Sequence, residues 1–332
     1  MTPPPGLIHY PDDRPGIARR RCGRGFSYIA PDGTRIDCKV ERARINAIAV
    51  PPAYEDVWIS PHANGHLQAT GYDARTRKQY RYHPEWSAHA AETKFAGLRA
   101  FGLSLPRLRA RIYAGLTAEP GDPELAIAAV LALIDRGSLR VGHPDYTAEN
   151  GSYGAVTLRP RHARLKGGGV TLDFVAKGGK KVSTRINGTR LARALAEVQD
   201  LPGGTLVGWV DDQGAPHPVR SDQINAVMAE CCGEGATPKT FRTWNGTLAA
   251  FRCALTMPDD TPATIKALAE AASDTLHNTP AIAKSSYIHP RVLDLAGLDA
   301  EERSARLKAL KPDAGRGWRS GEPELLAYLE ED

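Results

Sequence analysis

The chain has 332 residues, which is enough for two domains of ordinary size. Hydrophobic residues make up 42% and charged residues 24%, and no apolar stretch reaches the roughly 18 residues that a membrane span needs. This composition excludes a membrane protein and is typical of a globular one. The start of the chain lacks the apolar segment of a secretory signal, and the five cysteines show no CxxC spacing. We therefore expect a cytoplasmic protein with reduced thiols.

The net charge of +5 is concentrated near the N-terminus. Residues 1–90 contain 13 Lys and Arg against 9 Asp and Glu, whereas the remaining residues contain 30 against 29. The excess includes the run Arg19, Arg20 and Arg21. Such a cluster is either a face that binds phosphate or a solvated, flexible arm, and charge alone favours neither.

Short β-type runs alternate with turn residues in the first part of the chain. Phe26–Ile29, Val57–Ile59 and His66–Ala69 are typical of strands, and the segments between them are rich in Asp, Asn, Gly and Pro. From about Ser87 the apolar residues follow the 3.6-residue period of helices. The pattern predicts a small antiparallel β domain over residues 1–88.

The remaining residues, 89–332, are predicted to form a larger, mainly helical domain. One helix is expected to begin at Asp122-Pro123 and to end at Gly137. Apolar residues alternate from Val170 to Phe174 before the turn Lys177–Lys180, which predicts a β-hairpin inside the helical domain.

Three further helices share one start signal, a threonine at the cap and a proline at the first helical position. They are expected to start at Thr237-Pro238, Thr261-Pro262 and Thr279-Pro280. Together the elements predict an α+β fold, in which a small N-terminal antiparallel β domain precedes a mainly α-helical domain that contains a β-hairpin.

Familiar signals of metal and nucleotide sites are incomplete. His62 and His66 are four residues apart, but the residues between them form a turn and HExxH does not occur. The Gly-rich stretches do not contain GxxxxGK[ST], and no pair of acidic residues stands out as a metal or acid/base site. We therefore expect no metal, nucleotide or other cofactor, and chemistry that basic and hydroxyl side chains carry.

The helix expected to start at Pro238 combines an apolar stripe with two cations. The stripe is expected to face the core and consists of Phe241, Trp244, Leu248, Phe251 and Leu255. Lys239 and Arg242 lie on a different face near the start of the helix, where cations oppose the helix dipole. They are either solvated, or they lie beside a bound anion such as a phosphate, which would make the placement favourable.

The segment HNTPAIAKSSYIHP, residues 277–290, resembles the active-site tyrosine segment of the type IB DNA topoisomerases, in the branch shared by bacteria and poxviruses. Three other segments resemble the catalytic segments of that family in order and spacing: Arg140-Val-Gly, Phe174–Lys177 and Lys239–Trp244. The resemblance covers roughly residues 25–295. It implies the catalytic fold that type IB topoisomerases share with tyrosine recombinases.

The resemblance also implies a reaction and a role for each residue. Tyr287 would attack a backbone phosphodiester, leaving a 3′-phosphotyrosyl enzyme and a free 5′-hydroxyl, so that supercoiled DNA relaxes and is rejoined without ATP or metal. Free tyrosine ionises near pH 10, so nearby positive charge would help it to attack. Arg140 and Arg242 would hold the non-bridging oxygens, and Lys177, assisted by Lys239, would protonate the leaving 5′-oxygen.

One position departs from the poxvirus pattern. The poxvirus enzymes have histidine nine residues before the tyrosine, whereas this chain has Asn278, preceded by His277. Asparagine donates a hydrogen bond to a phosphoryl oxygen but carries no charge. Because the bacterial branch commonly has asparagine here, the resemblance assigns that role to Asn278 and leaves His277 as a bystander.

A further strand is predicted around Gln79–His83. Alternation places Gln79 and Arg81 on one face and Tyr80 and Tyr82 on the other. These residues belong either to an ordinary half-buried strand or to a surface that reads a DNA groove, since glutamine pairs with an adenine edge and tyrosine with phosphate. The resemblance favours DNA contact, with Gln79, Tyr80 and Tyr82 matching the major-groove residues of the family.

The partner that the resemblance implies is double-stranded DNA. We expect a monomer that forms a clamp around the duplex, with Arg81 and the run Arg19, Arg20 and Arg21 among its DNA contacts. No membrane or nucleotide partner is expected, and the implied location is the cytoplasm, at the nucleoid.

Two alternatives are weighed against this interpretation. Tyrosine recombinases share the catalytic fold, but their second arginine follows a histidine by three residues, where this chain has Lys239, and their pattern lacks the N-terminal β domain. The other alternative is a DNA-binding protein that has lost catalysis. The presence of Arg140, Lys177, Arg242 and Tyr287 argues against it, and covalent trapping of labelled DNA would separate the two.

Overall fold

The computed structural model describes residues 3–74, 76–199, 201–313 and 315–330, and for residues 91–93 the backbone only. The chain divides into two compact units, one that ends at Ala96 and one that begins at Gly97. Within the described ranges, no helix is both long and apolar enough to cross a membrane.

The first unit is built on an antiparallel sheet. Its strands are β1 (Ile17–Cys22), β2 (Gly25–Ile29), β3 (Glu55–Ile59), β4 (Leu67–Tyr72) and β5 (Lys78–Tyr82). They lie in the order β2-β1-β3-β4-β5, so β1 is inserted between its two partners. The unit also contains the helices α1 (Lys39–Ala47) and α2 (Pro84–Ala96).

The strand β1 and the helix α1 were not predicted from the sequence, because neither shows a clear apolar period. Only Ile17 in β1 and Ile45 in α1 are buried. Both side chains join the core of the first unit, where they meet Val57 and Ile59 of β3 and Ala69 of β4. Packing against the sheet therefore stabilises elements whose own sequence pattern is weak.

The second unit is mainly helical. Its helices are α3 (Leu98–Gly115), α4 (Pro123–Gly137), α5 (Pro144–Asn150), α6 (Thr189–Val198), α7 (Ser221–Cys232), α8 (Pro238–Thr256), α9 (Ile265–Leu276), α10 (Pro280–Tyr287), α11 (Pro290–Asp294), α12 (Ala300–Lys308) and α13 (Glu322–Tyr328). Its strands are β6 (Ala163–Lys166), β7 (Gly169–Ala176), β8 (Lys180–Asn187), β9 (Gly208–Val210) and β10 (Pro216–Pro218). The α+β fold predicted from the sequence, with its N-terminal antiparallel sheet and its mainly helical second part, is confirmed.

The predicted hairpin consists of β7 and β8. Burial alternates along β7, with Leu172 and Phe174 facing inward and Thr171 and Asp173 only partly covered, as the pattern predicted. The strand β6 pairs with the other edge of β7 and makes the sheet three-stranded, which the sequence analysis did not foresee. β9 and β10 form a separate two-stranded sheet.

Helix starts follow the predicted caps at three of four places. α4 begins at Pro123 behind the cap Asp122, and α8 and α10 begin at Pro238 and Pro280. The prediction at Thr261-Pro262 is wrong, because α9 begins at Ile265. Its cap is Thr264, whose hydroxyl oxygen accepts a hydrogen bond from the Ala267 amide at 3.1 Å. Two threonines this close together can each cap a helix, and the local sequence does not decide between them.

Two helices dominate the core of the second unit. Leu125, Leu131 and Leu133 of α4 are almost fully buried, and so are Phe241 and Trp244 of α8. The predicted stripe of α8 faces inward through Phe251, and its last member, Leu255, is half-buried. Helix α8 carries Arg242, and helix α4 leads into the segment that carries Arg140.

A buried ionic network joins α13 to α3, which carries Arg109, and to α8, which carries Trp244. Glu322 is fully buried, and its carboxylate accepts hydrogen bonds from both terminal nitrogens of Arg109, at 2.6 and 2.8 Å, and from the Trp244 indole at 3.2 Å. Burial raises the pKa of Glu322, but the hydrogen bonds and charge of Arg109 outweigh it, so that the pKa lies below its usual value. Glu322 is therefore ionised at neutral pH.

Replacing Glu322 by glutamine is expected to lower the free energy of unfolding by about 3 to 5 kcal/mol, because Arg109 would keep its charge without its main partner. The matched control is Glu330→Gln, since Glu330 pairs with Arg99 at an exposed position and should contribute at most about 1 kcal/mol. Urea unfolding at neutral pH measures both. Equal, small losses would mean that the network does not stabilise the fold.

Candidate active site

Arg140 lies just beyond the C-terminal end of α4. The helix ends at Gly137, and Ser138 adopts a left-handed conformation with φ of 51° before the chain continues to Arg140. A Cβ atom on Gly154 would lie 2.5 Å from the nitrogen of Gly142 and 2.6 Å from the carbonyl oxygen of Arg140. Only glycine permits this close approach of two backbone segments, which holds the backbone of Arg140 in place.

Arg242 brings a positive charge into the interior of the second unit. Its side chain on α8 is only 3% exposed. The guanidinium donates hydrogen bonds to the main-chain oxygens of Ser138 and Leu276, the latter at 3.0 Å. Burial, together with the charge of Arg140, lowers the pKa of Arg242 to about 10, so the group is still charged at neutral pH.

Asn278 lies in the loop between α9 and α10 and is 7% exposed. Its Oδ1 accepts a hydrogen bond from Nη2 of Arg140 at 2.7 Å, which orients the amide. Its Nδ2 is buried and has no hydrogen-bond partner among the described residues. A buried donor without a partner is costly, so this amide is available to donate to an acceptor placed beside it.

His277 ends α9 in a left-handed conformation with φ of 52°. Burial and then the charges of Arg242 and Lys180 hold the pKa of its imidazole below the usual value. The ring is therefore neutral at pH 7 and adds no positive charge to its surroundings.

Tyr287 is the last residue of α10, and its backbone is held by α8. The hydroxyl of Thr247 donates a hydrogen bond to the Tyr287 carbonyl oxygen at 3.2 Å and accepts one from the His289 amide at 3.0 Å. A Cβ atom on Gly246 would lie 2.8 Å from the same carbonyl oxygen. Gly246 and Thr247 thus let the tyrosine segment approach the helix that carries Arg242.

The phenol of Tyr287 is half-buried beside positive charge. The centre of its ring lies 5.1 Å from the Cζ atom of Arg242. Burial raises the pKa of the phenol. This effect is smaller than the combined lowering by the charge and hydrogen bond of Arg242 and the charges of Arg140 and Lys239. The net pKa of Tyr287 is below that of free tyrosine, so the phenolate forms more easily.

The two predicted lysines are both exposed. Lys239 lies in the first turn of α8, close enough to lower the pKa of Tyr287. Lys177 lies at the turn between β7 and β8, where its Nζ is 5.8 Å from the ring centre of Tyr146 on α5. The structure brings together four predicted catalytic residues, and it leaves Lys177 at the tip of the hairpin. The four are Arg140, Arg242, Asn278 and Tyr287.

The arginine run of the first unit lies on β1. Arg19 donates hydrogen bonds to three main-chain oxygens of the loop 50–54, and its Cζ lies 4.2 Å from the ring centre of Phe26. Arg20 and Arg21 are exposed. Arg19 therefore ties a loop to the sheet, whereas the other two arginines present their charge to solvent.

The strand β5 carries the other predicted DNA contacts. Tyr80 and Tyr82 are 49% and 45% exposed, and their rings stack with centres 6.1 Å apart. Gln79 donates a hydrogen bond to Asp73 at 3.0 Å, and Arg81 donates one to a main-chain oxygen at 3.2 Å. The stacked tyrosines form an exposed aromatic surface at the edge of the sheet.

Comparisons with known proteins match both parts of the chain. The family model described as the N-terminal domain of bacterial DNA topoisomerase IB matches residues 25–73. The model described as the catalytic core of eukaryotic DNA topoisomerase I matches residues 83–283, which is more than half of the chain. The chain belongs to the type IB DNA topoisomerase family.

A relative supports the same family over most of the chain. DNA topoisomerase 1B of Acanthamoeba polyphaga mimivirus is 28% identical over 292 residues, covering 84% of this chain and 87% of the relative. The core match includes Arg140, Lys177, Arg242 and Asn278 and ends shortly before Tyr287. This protein is therefore a DNA topoisomerase, and its substrate is DNA.

The residues that hold the tyrosine segment of this topoisomerase were not predicted from its sequence. Gly246 carried a usable signal, because a glycine inside a long helix costs about 1 kcal/mol relative to alanine and so indicates a close contact. Thr247 and Lys180 carried none, since a buried threonine and a lysine near a turn are common in any protein. Only the tertiary structure shows what these side chains contact.

Proposed function

We propose that this topoisomerase relaxes supercoiled DNA by cutting one strand through a transient 3′-phosphotyrosyl bond on Tyr287 and then rejoining it, without ATP or metal. The observation that supports this most is the half-buried phenol beside Arg242 and Arg140, whose charges outweigh the effect of burial on its pKa. A phenol with a lowered pKa is a better nucleophile at neutral pH.

The two arginines and Asn278 are proposed to bind the phosphate under attack. Arg140 and Arg242 would each donate to a non-bridging oxygen, and their contribution grows as negative charge builds up there in the transition state. The buried Nδ2 of Asn278, which Arg140 orients through Oδ1, would donate to the same group. The phosphate would then supply the hydrogen-bond partner that this amide lacks among the described residues.

Lys177 is proposed to act as the general acid. As the Tyr287 oxygen bonds to phosphorus, the bond to the 5′-oxygen breaks, and that oxygen takes a proton from Lys177, with Lys239 assisting. The phosphotyrosine keeps the energy of the broken bond, so the 5′-hydroxyl can reverse the reaction without ATP. The exposed position of Lys177 at a hairpin turn leaves it accessible to a bound strand.

We further propose that the enzyme is a monomer that clamps double-stranded DNA at the nucleoid in the cytoplasm. The first unit would contribute Tyr80 and Tyr82 with Gln79 to the major groove, and Arg20, Arg21 and Arg81 to the phosphates. The excess of basic residues in the first 90 positions supports this division of binding.

The proposed function predicts complete relaxation of supercoiled plasmid in EDTA and without nucleotide. Positively and negatively supercoiled plasmid should both relax, because strand rotation about a nick releases either kind of stress. Gel electrophoresis of a time course measures the reaction, with Tyr287→Phe as the inactive control. A strict requirement for ATP or a divalent metal would contradict the proposed mechanism.

Replacing Arg20 and Arg21 together by alanine is expected to weaken DNA binding. The slope of the logarithm of the binding constant against the logarithm of the salt concentration should become shallower by about 1 for each lost phosphate contact. Arg19→Ala is the matched control, since it removes the same kind of charge from a side chain that hydrogen-bonds the loop 50–54. Binding of uncleaved duplex at several salt concentrations measures the slopes. A slope unchanged by the double variant would show that Arg20 and Arg21 are merely solvated.

A further inference from the structure

Two adjacent lysines begin β8 and point to opposite faces of the sheet. Lys180 pairs with Ala176 of β7, in the inward-facing row that includes Phe174. Lys181 pairs with Val175, in the outward-facing row. The two side chains carry the same charge and differ in the surface that they reach.

Lys180 reaches the loop that carries Asn278. Its Nζ donates a hydrogen bond to the main-chain oxygen of Asn278. The backbone nitrogen of Asn278 donates a hydrogen bond to the main-chain oxygen of Ser273 at 3.0 Å, and its side-chain Oδ1 accepts one from Arg140 at 2.7 Å. Asn278 is thus held through its backbone nitrogen, its carbonyl oxygen and its side-chain oxygen, and only Nδ2 of these polar atoms is left without a hydrogen-bond partner among the described residues.

The contact spans two segments that are far apart in the sequence. Lys180 follows the turn of Lys177, whereas Asn278 lies nine residues before Tyr287. Lys180 therefore links the hairpin with the general acid to the loop before the nucleophile. A displacement of about 1 Å in such a group can slow a reaction by roughly 100-fold.

We propose that Lys180 is a positioning residue that holds Asn278 in the orientation in which its Nδ2 donates to the scissile phosphate. The inference rests on the proposed function, because it concerns the same phosphate. Lys180 acts through Asn278 and neither donates the proton to the leaving oxygen nor contributes to DNA affinity.

The test compares Lys180→Ala with Lys181→Ala, which removes an equal charge from the outward face of the same strand. Single-turnover cleavage of a labelled duplex is measured with the full-length protein, and affinity is measured in a Tyr287→Phe background. We expect Lys180→Ala to cleave about 10- to 100-fold more slowly at unchanged affinity and Lys181→Ala to cleave at the normal rate. Lys180→Arg should recover much of the rate, since arginine can donate to the same oxygen.

A double-variant cycle with Asn278→Ala shows whether Lys180 acts through Asn278. Once the Asn278 amide is absent, Lys180→Ala should cost little further rate, so the two effects should not multiply. Full multiplication would overturn the inference, and so would equal rates for Lys180→Ala and Lys181→Ala. A loss of affinity that accounts for the slower cleavage by Lys180→Ala would indicate a phosphate contact instead.

A substrate with sulfur at the bridging 5′ position separates positioning from acid catalysis. If the sulfur substrate restores the rate of Lys180→Ala, Lys180 is itself the proton donor and the inference is wrong. If the unaltered enzyme forms no covalent adduct with DNA, the proposed function fails, and that outcome is distinct from every outcome that concerns Lys180 alone.

Discussion

Replacing Tyr287 by phenylalanine is expected to abolish covalent attachment to DNA and all relaxation, while DNA binding is retained. The substitution removes only the phenolic oxygen, which is the proposed nucleophile, and the ring that lies beside Arg242 stays in place. The backbone contact of Thr247 with residue 287 also stays, because it involves the carbonyl oxygen. Incubation with end-labelled duplex, followed by denaturing electrophoresis, measures the adduct, and filter binding measures affinity.

Tyr328→Phe is the matched control for that prediction. Tyr328 is 1% exposed, and its hydroxyl donates a hydrogen bond to the Arg291 main-chain oxygen at 2.8 Å. Loss of this bond should lower the free energy of unfolding by about 1 kcal/mol and leave adduct formation intact. An adduct on the Tyr287→Phe protein would mean that another residue is the nucleophile.

Replacing Lys177 by alanine is expected to slow cleavage by roughly 10² to 10⁴-fold, the usual effect of removing a general acid. Binding should change little, because Lys177 is one exposed cation at a hairpin turn. On a substrate with sulfur in place of the bridging 5′-oxygen, the variant should cleave at nearly the normal rate, since a thiol ionises near pH 8.5 and needs no proton to leave. Failure of sulfur to restore the rate would make Lys177 an electrostatic residue and Lys239 the next candidate for the acid.

Arg242→Ala is the control that should stay slow on both substrates, because the proposed role of Arg242 is to bind the non-bridging oxygens and not to protonate the leaving group. It should also raise the pKa of Tyr287, since the charge and hydrogen bond of Arg242 are the main effects that lower this pKa against burial. The rate of cleavage as a function of pH should then rise at higher pH than in the unaltered enzyme. An unchanged pH profile would contradict the assigned influence of Arg242 on the phenol.

Local pattern predicted those elements whose signals are independent of distant residues. The cap Asp122 and the end at Gly137 define α4, and the start signals at Pro238 and Pro280 define α8 and α10. A cap acts through a side-chain oxygen and backbone groups two or three residues away, so a short stretch of sequence contains it entirely. The predicted helix start at Thr261 was wrong, because a second threonine three residues later, Thr264, is the cap of α9.

The family and the α+β fold were also predicted from the sequence, because four short segments match the catalytic segments of type IB topoisomerases in order and spacing. The catalytic-core model covers three of these segments and the start of the fourth. What the sequence did not determine is how its polar side chains are used. The arginine run is one example: Arg19 bonds three main-chain oxygens, whereas Arg20 and Arg21 lie in solvent. Arg19 differs from its neighbours because the loop 50–54 offers main-chain oxygens to its guanidinium, which the sequence of the run itself does not show.

The contacts and charges of the candidate active site were likewise determined by the tertiary structure. The sequence predicted Arg140 and Arg242 in two separate segments and Asn278 and Tyr287 in a third, each segment by a local match. The contacts that set their properties come from the packing of α4, α8 and the loop after α9. This packing produces the hydrogen bond between Arg140 and Asn278, the burial of Arg242 and the lowered pKa of Tyr287. Burial and charge act through space between residues that are far apart in the sequence, 138 positions for Arg140 and Asn278, and no local pattern records which of those residues will meet.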